Sequence, residues 1–127
     1  MAEVIAAEKV TVLVGAPTFL RPLLKKATRE EMKSLRFAVS GAEKMPVELH
    51  EAFRDQLGVE LLQGYGLTET TPVTNVNLPE PVKKVRGGES HRGHRLGSVG
   101  RLLPGMTARL IDPETGAELP LTSTGVL

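Results

Sequence analysis

Residues 59–72 read VELLQGYGLTETTP, and the architecture of the chain can be worked out from this stretch. Residues 59–63 form a β-prone run of the length of a strand, and Gly64 ends it. Tyr65, the single tyrosine of the chain, lies between Gly64 and Gly66, and hydroxyls, one carboxylate and a proline follow. The stretch therefore predicts a strand that ends in a glycine-hinged loop.

Two earlier segments repeat this form. The run VTVLV, residues 10–14, stops at Gly15, and LRFAV, residues 35–39, stops at Ser40 and Gly41. Because residues 10–14 are an almost continuous apolar run, they predict a strand buried on both faces. The chain thus carries three predicted strands, each followed by a glycine-containing loop.

Helical patterns separate these strands. A helix is predicted from Pro46 to Leu57, because Leu49, Phe53 and Leu57 recur four residues apart and form one apolar stripe. His50 is expected at the edge of this helix, in contact with solvent. Shorter helices are predicted over residues 1–9, 17–24 and 28–35, the last with a capping box formed by Thr28 and Glu31.

Strands that alternate with helices indicate an α/β fold, here a parallel β-α-β-α-β unit of three or more strands, followed by a β-rich C-terminal segment. The carboxyl ends of parallel strands meet at one edge of the sheet, where open α/β sheets bind their ligands. That edge brings together three loops, residues 15–18, 40–44 and 64–70. We therefore expect a binding site there on topology alone.

The last third of the chain has a different character. The predicted division is a parallel unit with the binding loops over residues 1–78, a flexible, basic, glycine-rich loop over residues 79–96, and a β-rich segment, the start of a truncated β subdomain, over residues 97–127. Glu89, His91 and His94 have a spacing that resembles a metal site. No further ligand accompanies them, so we predict no metal there.

Composition narrows the class of protein. The 127 residues include 16 Lys and Arg against 15 Asp and Glu, and this balance argues against a nucleic-acid partner. Without cysteine, disulfides, thiolate zinc sites and cysteine nucleophiles are excluded. No apolar run approaches the roughly 20 residues of a membrane span, and a cytoplasmic location is expected. Peripheral association with the inner membrane, through other parts of a longer protein, is left open.

Three motifs follow one another along the chain, SGAEKMP at residues 40–46, QGYGLTETTPV at 63–73 and GSVGRLLPGMTARLID at 97–112. In order and spacing they resemble the AMP-forming acyl-activating enzymes, the adenylate-forming family, over nearly the whole chain. The amino acids in these motifs are most similar to those of the synthetase half of bifunctional acyl-ACP synthetase/2-acylglycerophosphoethanolamine acyltransferases. Long-chain fatty acid–CoA ligases are nearly as similar. The resemblance implies an excised part of the large N-terminal domain of such an enzyme.

The resemblance also implies roles for single residues. The set that would bind ATP or AMP comprises Gly41, Ala42, Glu43, Gln63, Gly64, Tyr65, Gly66 and Thr68. Tyr65 would lie against the adenine ring. Thr68 would contact the α-phosphate and Glu69 would hold Mg²⁺, so these two form the catalytic pair. The acyl channel would be bordered by Gly64, Gly66, Pro72 and Val73.

The implied reaction has two halves. A fatty acid and ATP give an acyl-adenylate and pyrophosphate, and the acyl group then passes to the thiol of acyl carrier protein or CoA. The family's phosphate loop, ribose-binding aspartate and C-terminal lysine have no counterpart in this sequence, so the isolated chain is expected to be inactive. A sheet taken out of a larger domain also exposes strand edges, and we expect the chain to self-associate.

Two alternatives stay open at the level of the sequence. The chain could be a non-catalytic module that binds a nucleotide or an acyl group on the same edge of the sheet. The chain could also be a protein that binds a partner through its basic loop, an interpretation that rests on residues 82–95 alone. Their positive charge would suit anionic lipid or an acidic carrier protein.

Overall fold

The computed structural model of the chain describes residues 1–79 and 93–120. The helices are α1 (Ala2–Ala7), α2 (Pro17–Leu20), α3 (Leu23–Lys26) and α4 (Val47–Ala52), with a π-helical turn at Phe53–Leu57 and a 3₁₀ turn at Thr68–Thr70. The strands are β1 (Val12–Gly15), β2 (Phe37–Ser40), β3 (Leu61–Tyr65), β4 (Asn75–Val76), β5 (Arg101–Leu102), β6 (Leu110–Ile111) and β7 (Glu118–Leu119). Strands and helices alternate up to β3, as the sequence predicts.

The first three strands form a parallel sheet with β2 in the centre. Leu13 of β1 pairs with Ala38 of β2, and Ala38 pairs with Leu61 of β3. β4 and β5 continue this sheet beyond β3 in antiparallel orientation, and β6 pairs with β7 in a separate hairpin. The predicted parallel β-α-β-α-β unit is thus confirmed, and the strands that follow it are short and antiparallel.

The hydrophobic core lies on one face of the parallel sheet. Paired residues of parallel strands point to the same side, so Leu13, Ala38 and Leu61 share this face. Phe53 is completely buried in the core that covers it. The other buried members of this core are Ile5, Leu20, Leu23, Met32, Leu35, Met45, Leu49, Leu57 and Val59. The apolar stripe predicted between residues 46 and 57 therefore faces the core, as expected.

The prediction that His50 is solvated is wrong, because only 5% of this residue is exposed. Its Nδ1 donates a hydrogen bond to the carbonyl oxygen of Leu61, at 2.8 Å, and so joins α4 to β3. The ring of His94 lies beside it, with the two ring centroids 5.0 Å apart. A buried donor that finds a carbonyl acceptor carries little penalty, which explains how a polar side chain fits the apolar side of this helix.

The prediction that the first strand is buried on both faces is also wrong. Among the residues that the structure describes, β1 is the edge of its sheet and pairs with β2 alone. Leu13 packs against the core, whereas Val12 is 40% exposed and Val14 is 71% exposed. Side chains alternate between the two faces of a strand, so β1 is covered on one face and open on the other. We call the side that carries Val12 and Val14 the open face.

The segment predicted as a helix over residues 28–35 forms a series of turns instead. Its capping box is present: the backbone N–H of Thr28 donates to a Glu31 carboxylate oxygen at 2.7 Å, and the N–H of Glu31 donates to the Thr28 hydroxyl at 3.3 Å. Met32 and Leu35 are both buried in the core. Because nucleating a short helix is costly, packing of these two side chains decides the local backbone.

The other predicted helices are found at the expected positions, but two of them differ in length or continuity from the prediction. The helix predicted over residues 17–24 is split into α2 and α3, because Pro22 lacks the N–H that a continuous helix would need. The segment over residues 1–9 is helical only from Ala2 to Ala7. The helix ends at Leu57 as predicted, and Gly58 follows with a φ of 71°, a left-handed conformation that favours glycine.

The chain returns to the main sheet after the predicted basic loop, most of which (residues 80–92) lies outside the described residues. The N–H of Leu78 donates to the carbonyl of Gly93 at 2.8 Å, and β5 then pairs with β4. The two segments on either side of the loop therefore share one sheet. The division at residues 78 and 96 stays a prediction.

Candidate functional site

The three loops expected to meet at the carboxyl edge of the parallel strands do line one cavity. Its volume is about 380 Å³, and its wall includes Gly15, Gly41 and Gly64, one residue from each strand end. Val14 and Val39 form its floor on the open face of the sheet. A larger cavity of about 430 Å³ lies between α1 and the α2–α3 region, and of the residues in the three loops only Thr18 lines it. Topology therefore favours the smaller cavity as the site.

The first two loops are tied together by two contacts. The hydroxyl of Thr18 lies 3.0 Å and 2.8 Å from the two carboxylate oxygens of Glu43, to which it donates. The N–H of Gly41 donates to the carbonyl of Gly15 at 3.3 Å. Between them, Ala42 has a φ of 66°, which is uncommon for a residue with a side chain. The loop is thus held in a specific shape at the cavity wall.

The third loop depends on the absence of a side chain at Gly66. A Cβ atom at this position would collide with the carbonyl of Pro72, so the loop folds back on itself at a distance that only glycine permits. At Gly64 a Cβ atom would lie 3.4 Å from the Asn75 carbonyl oxygen and from a Val39 methyl group, which is a tight fit. These two glycines bring backbone and not side chains to the cavity wall.

Tyr65 stands between two cavities. It is the last residue of β3, is 38% exposed, and lines the 380 Å³ cavity on one side. On the other side it lines a second cavity of about 330 Å³, together with Leu67, Met106, Arg109 and Ile111. The tyrosine ring therefore has an accessible surface at the strand end, as a platform for an aromatic base requires.

The residues after Tyr65 form a short, self-bonded turn. The N–H of Leu67 donates to the Thr70 hydroxyl at 3.0 Å, and that hydroxyl donates to the Leu67 carbonyl at 2.8 Å. Thr70 is thus a local hydrogen-bonding residue. The turn leaves Thr68 on the cavity wall and Glu69 exposed beside it.

Most residues predicted for the site do come together. Eight of them line the 380 Å³ cavity: Gly41, Ala42, Gly64, Tyr65, Gly66, Thr68, Pro72 and Val73. Three do not contribute to its wall. Glu43 is turned towards Thr18, Glu69 is exposed on the adjacent turn, and Gln63 lies one residue before Gly64 within β3.

Several wall residues were not among the predicted site residues, although one of them, Leu67, lies within the motif at residues 63–73. Val14, Ala16, Val39 and Leu67 line the same cavity. Val14 and Val39 read as ordinary strand residues, and only their pairing in register on the open face brings them to the site. The signal was available in principle, because the last side chain of each predicted strand lies next to the loop that follows it.

Asn77 was also missed, although its buried side chain makes three hydrogen bonds to backbone groups. Its amide nitrogen donates to the carbonyls of Gln63 at 3.0 Å and Ser98 at 2.6 Å, and its amide oxygen accepts from the N–H of Arg95 at 3.0 Å. Only 2% of Asn77 is exposed. Asn77 thereby fastens residues 95–98 to the end of the parallel sheet.

Gly100, in the motif at residues 97–112, is also required by the geometry of the backbone. Gly100 has a φ of 90°, and a Cβ atom there would collide with the backbone of Val76. Close approach of this segment to β4 therefore requires glycine at this position. The motif after the basic loop is a packing element beside the site.

A metal site of protein ligands alone is not present in the described part of the chain. Among residues 1–79 and 93–120, no group of three or more His, Cys, Asp or Glu side chains could hold a metal ion. Of the predicted metal-like trio, Glu89 and His91 lie outside the described residues. His94 instead contacts Glu60, with 3.6 Å between its Nδ1 and a carboxylate oxygen. No helix within the described ranges is long and apolar enough to cross a membrane.

Comparison with known proteins agrees with this architecture. A solved structure of MatB from Rhodopseudomonas palustris superimposes with a TM-score of 0.74 at 33% identity, covering 98% of this chain and 23% of that one. Mouse mitochondrial medium-chain acyl-CoA ligase ACSF2 (Mus musculus) is 33% identical over 98% of this chain and 19% of its own length. The 4-coumarate–CoA ligase-like 6 protein of Arabidopsis thaliana is 37% identical over 94% of this chain and 20% of its own.

The chain therefore spans about a fifth of the length of the curated relatives that it matches. The model of the AMP-binding enzyme family matches residues 1–127, which is the full sequence. The resemblance drawn from the three motifs is thus confirmed at the level of the family. The chain belongs to the AMP-binding enzymes, the adenylate-forming family whose members include acyl-CoA ligases.

Proposed function

We propose that the chain supplies the adenine wall and part of the acyl channel of an ATP-dependent acyl-activating enzyme. The observation that carries this proposal is the 380 Å³ cavity, in which Tyr65 and three glycine-containing loops meet at the carboxyl ends of parallel strands. The match of the AMP-binding family over the whole chain supports the same assignment.

The proposed reaction transfers an adenylyl group and then an acyl group. A carboxylate oxygen attacks the α-phosphorus of ATP, the bond to the bridging oxygen breaks, and pyrophosphate leaves with the electron pair. The products are an acyl-adenylate and pyrophosphate. In the second half a thiol attacks the acyl carbon, AMP leaves, and the thiol proton passes to solvent or a base.

The nucleotide would bind between Tyr65 and the loop of Gly41 and Ala42. The tyrosine ring offers a flat apolar surface against which adenine can stack. Gly41 and Ala42 line the same cavity and have no side chain or only a methyl group, which lets the base approach without obstruction by large side chains. The proposed pocket therefore needs one aromatic ring and two small residues, and the cavity provides them.

Thr68 and Glu69 would act at the phosphates. Thr68 lines the cavity, so its hydroxyl can donate to an α-phosphate oxygen as charge develops there. The exposed carboxylate of Glu69 beside Thr68 suits Mg²⁺, which prefers oxygen ligands and keeps several waters and substrate phosphates around it. When bound, Mg²⁺ would offset the negative charge of the phosphate oxygens.

The acyl group would lie on the glycine side of the same cavity, bordered by Gly64, Gly66, Pro72 and Val73. We propose a fatty acid as the substrate, since the cavity floor of Val14 and Val39 is apolar. The names of the relatives, a medium-chain acyl-CoA ligase and a long-chain-fatty-acid–CoA ligase, favour CoA as the acceptor thiol. Acyl carrier protein is the second proposed acceptor, because the motif sequences resemble those of acyl-ACP synthetases.

The chain of residues 1–127 should not carry out this reaction alone. Catalysis of adenylation depends on holding both ends of ATP together with the acid, and proximity and electrostatic stabilisation each contribute several orders of magnitude. We expect no acyl-adenylate from the purified chain with ATP, Mg²⁺ and a long-chain fatty acid. Pyrophosphate release that disappears in Glu69→Gln would contradict this expectation.

Binding of AMP to the isotopically labelled chain, followed by heteronuclear NMR, tests the proposed site. We expect saturable shifts at the amides of Gly41, Ala42 and Gly66, and a clear loss of affinity in Tyr65→Ala. Phe19→Ala removes another exposed aromatic ring outside this cavity and should bind AMP as the unmodified chain does. Equal loss in both variants, or shifts confined to other regions, would contradict the proposal.

A further inference from the structure

We infer that Thr18 is a positioning residue for the nucleotide-facing loop at residues 41–43, an inference that rests on the proposed function. Thr18 lies outside the three motifs and outside the wall of the 380 Å³ cavity, although it lines the 430 Å³ cavity. Its hydroxyl nevertheless donates to both carboxylate oxygens of Glu43, at 3.0 Å and 2.8 Å, across 25 residues of sequence. This contact joins the start of α2 to the loop that would face adenine.

The loop needs an external constraint because its backbone is unfavourable. Ala42 has a φ of 66°, and a residue with a Cβ atom in this region costs about 1 kcal/mol relative to the usual conformations. On one side of Ala42, the N–H of Gly41 donates to Gly15; on the other, Glu43 accepts from Thr18. Two contacts with the same neighbouring loop therefore enclose the strained residue.

The geometry gives Glu43 a different task from direct contact with the base. Both of its carboxylate oxygens face the Thr18 hydroxyl, and the residue does not line the 380 Å³ cavity, whereas Gly41 and Ala42 do. Glu43 thus accepts the hydrogen bond from Thr18, and the two residues before it, Gly41 and Ala42, form the cavity wall. Thr18 and Glu43 together fix where that wall stands.

A set of three variants tests the tie. Thr18→Val removes the hydroxyl at nearly constant volume, and Thr18→Ser keeps it. Thr28→Val is a matched control, since the Thr28 hydroxyl also donates to a glutamate, Glu31, at 2.8 Å, and neither residue lines the 380 Å³ cavity. The Thr18 hydroxyl is exposed, so Thr18→Val and Thr18→Ser should unfold at nearly the same denaturant concentration as the unmodified chain. Thr28→Val also loses the capping bond from the Glu31 N–H, so it serves as a control for local exchange and AMP binding and not for stability.

The first measurement is amide hydrogen exchange at Gly41 in the chain without ligand. Loss of one tie should open the loop more often, so we expect exchange about fivefold faster in Thr18→Val, within the range for one hydrogen bond. Thr18→Ser should restore the original rate, and Thr28→Val should leave it unchanged. An unchanged rate in Thr18→Val would overturn the inference.

The second measurement is the AMP titration of the same variants. We expect an affinity about threefold to fivefold lower in Thr18→Val and unchanged in the other two. Faster exchange at Gly41 with unchanged AMP affinity would overturn the positioning role. If the unmodified chain does not bind AMP, the proposed function is contradicted, while the exchange rates still decide whether Thr18 orders the loop.

Discussion

The two faces of the parallel sheet differ in what covers them. On the core face, Ala38 and Leu61 are completely buried in the core that also contains Phe53. On the open face, Val12 and Val14 at the sheet edge are exposed, although Leu62 on the same side of the sheet is buried. Coverage of the open face therefore decreases from β3 towards β1.

Because of this difference, one face of the sheet contributes mainly to stability and the other contributes to the candidate binding site. Parallel sheets are usually covered on both faces, because their strands are apolar on both sides. Here the covered face supplies the core, and the open face supplies the floor of the candidate cavity through Val14 and Val39. Substitutions on the two faces should therefore change different properties of the chain.

The largest effect is expected at Phe53. Removing a completely buried phenylalanine leaves a cavity, so Phe53→Ala should lower the free energy of unfolding by about 3–5 kcal/mol. Val14→Ala on the open face should lower it by about 0.5 kcal/mol or less. Denaturant unfolding measures both, and Phe53→Leu gives a milder variant if Phe53→Ala does not fold. Similar costs on both faces would contradict the comparison.

Asn77 should be next in size. Asn77→Ala leaves the N–H of Arg95 and two carbonyls without their buried partner, and we expect a loss of about 3 kcal/mol in unfolding free energy. Asn75→Ala is the control, because Asn75 is half-buried and its amide donates to the Gly100 carbonyl at a long 3.4 Å. A loss below about 1 kcal/mol for Asn77→Ala would mean that residues 95–98 are not fastened to the sheet by this side chain.

Self-association should depend on the open face. β1 is an edge strand with exposed Val12 and Val14, and such edges pair with other chains. We expect a light-scattering mass that rises with concentration for the unmodified chain, and a clearly weaker rise for Val14→Lys. Val47→Lys adds the same single positive charge at an exposed position of α4 and should not weaken it. A constant monomer mass over a hundredfold range would refute self-association.

The smallest effect concerns the pKa of Glu31 in the capping box. Hydrogen bonds from the backbone N–H and hydroxyl of Thr28 hold the pKa of Glu31 below its ordinary value of 4.5. A carboxyl with a lowered pKa in the folded state contributes stability above pH 4.5 and loses it as the pH falls through the lower value. Carbon-detected NMR titration should find Glu31 below 4.5, and higher in Thr28→Val; a titration at or above 4.5 would contradict the capping box.

Much of the fold could be predicted because local pattern and topology agree. Strand runs that end at Gly15, Gly41 and Gly64 implied three loops on one edge, and those loops do form one cavity. The stripe of Phe53 and Leu57 implied the core face correctly. These features need only the period of the pattern and the handedness of the crossovers.

The rest depended on tertiary contacts that a pattern does not encode. His50 is buried because a carbonyl of β3 happens to face it, and Asn77 is buried because three backbone groups converge on its amide. β1 is buried on one side only because the core covers one face of the sheet and leaves Val12 and Val14 exposed on the other, which an apolar run does not reveal. Thr18 lies outside every motif, and its link to Glu43 spans two loops.

Tyr65 fluorescence tests the central claim most directly. The chain contains one tyrosine and no tryptophan, so its emission reports on Tyr65 alone. The lifetime of that emission should shorten saturably with AMP, with a dissociation constant on the order of millimolar, because adenine stacks on the ring. Ribose 5-phosphate, which lacks the base, should leave the lifetime unchanged. An unchanged lifetime at about ten times that AMP concentration, or the same response to both compounds, would contradict an adenine site at Tyr65.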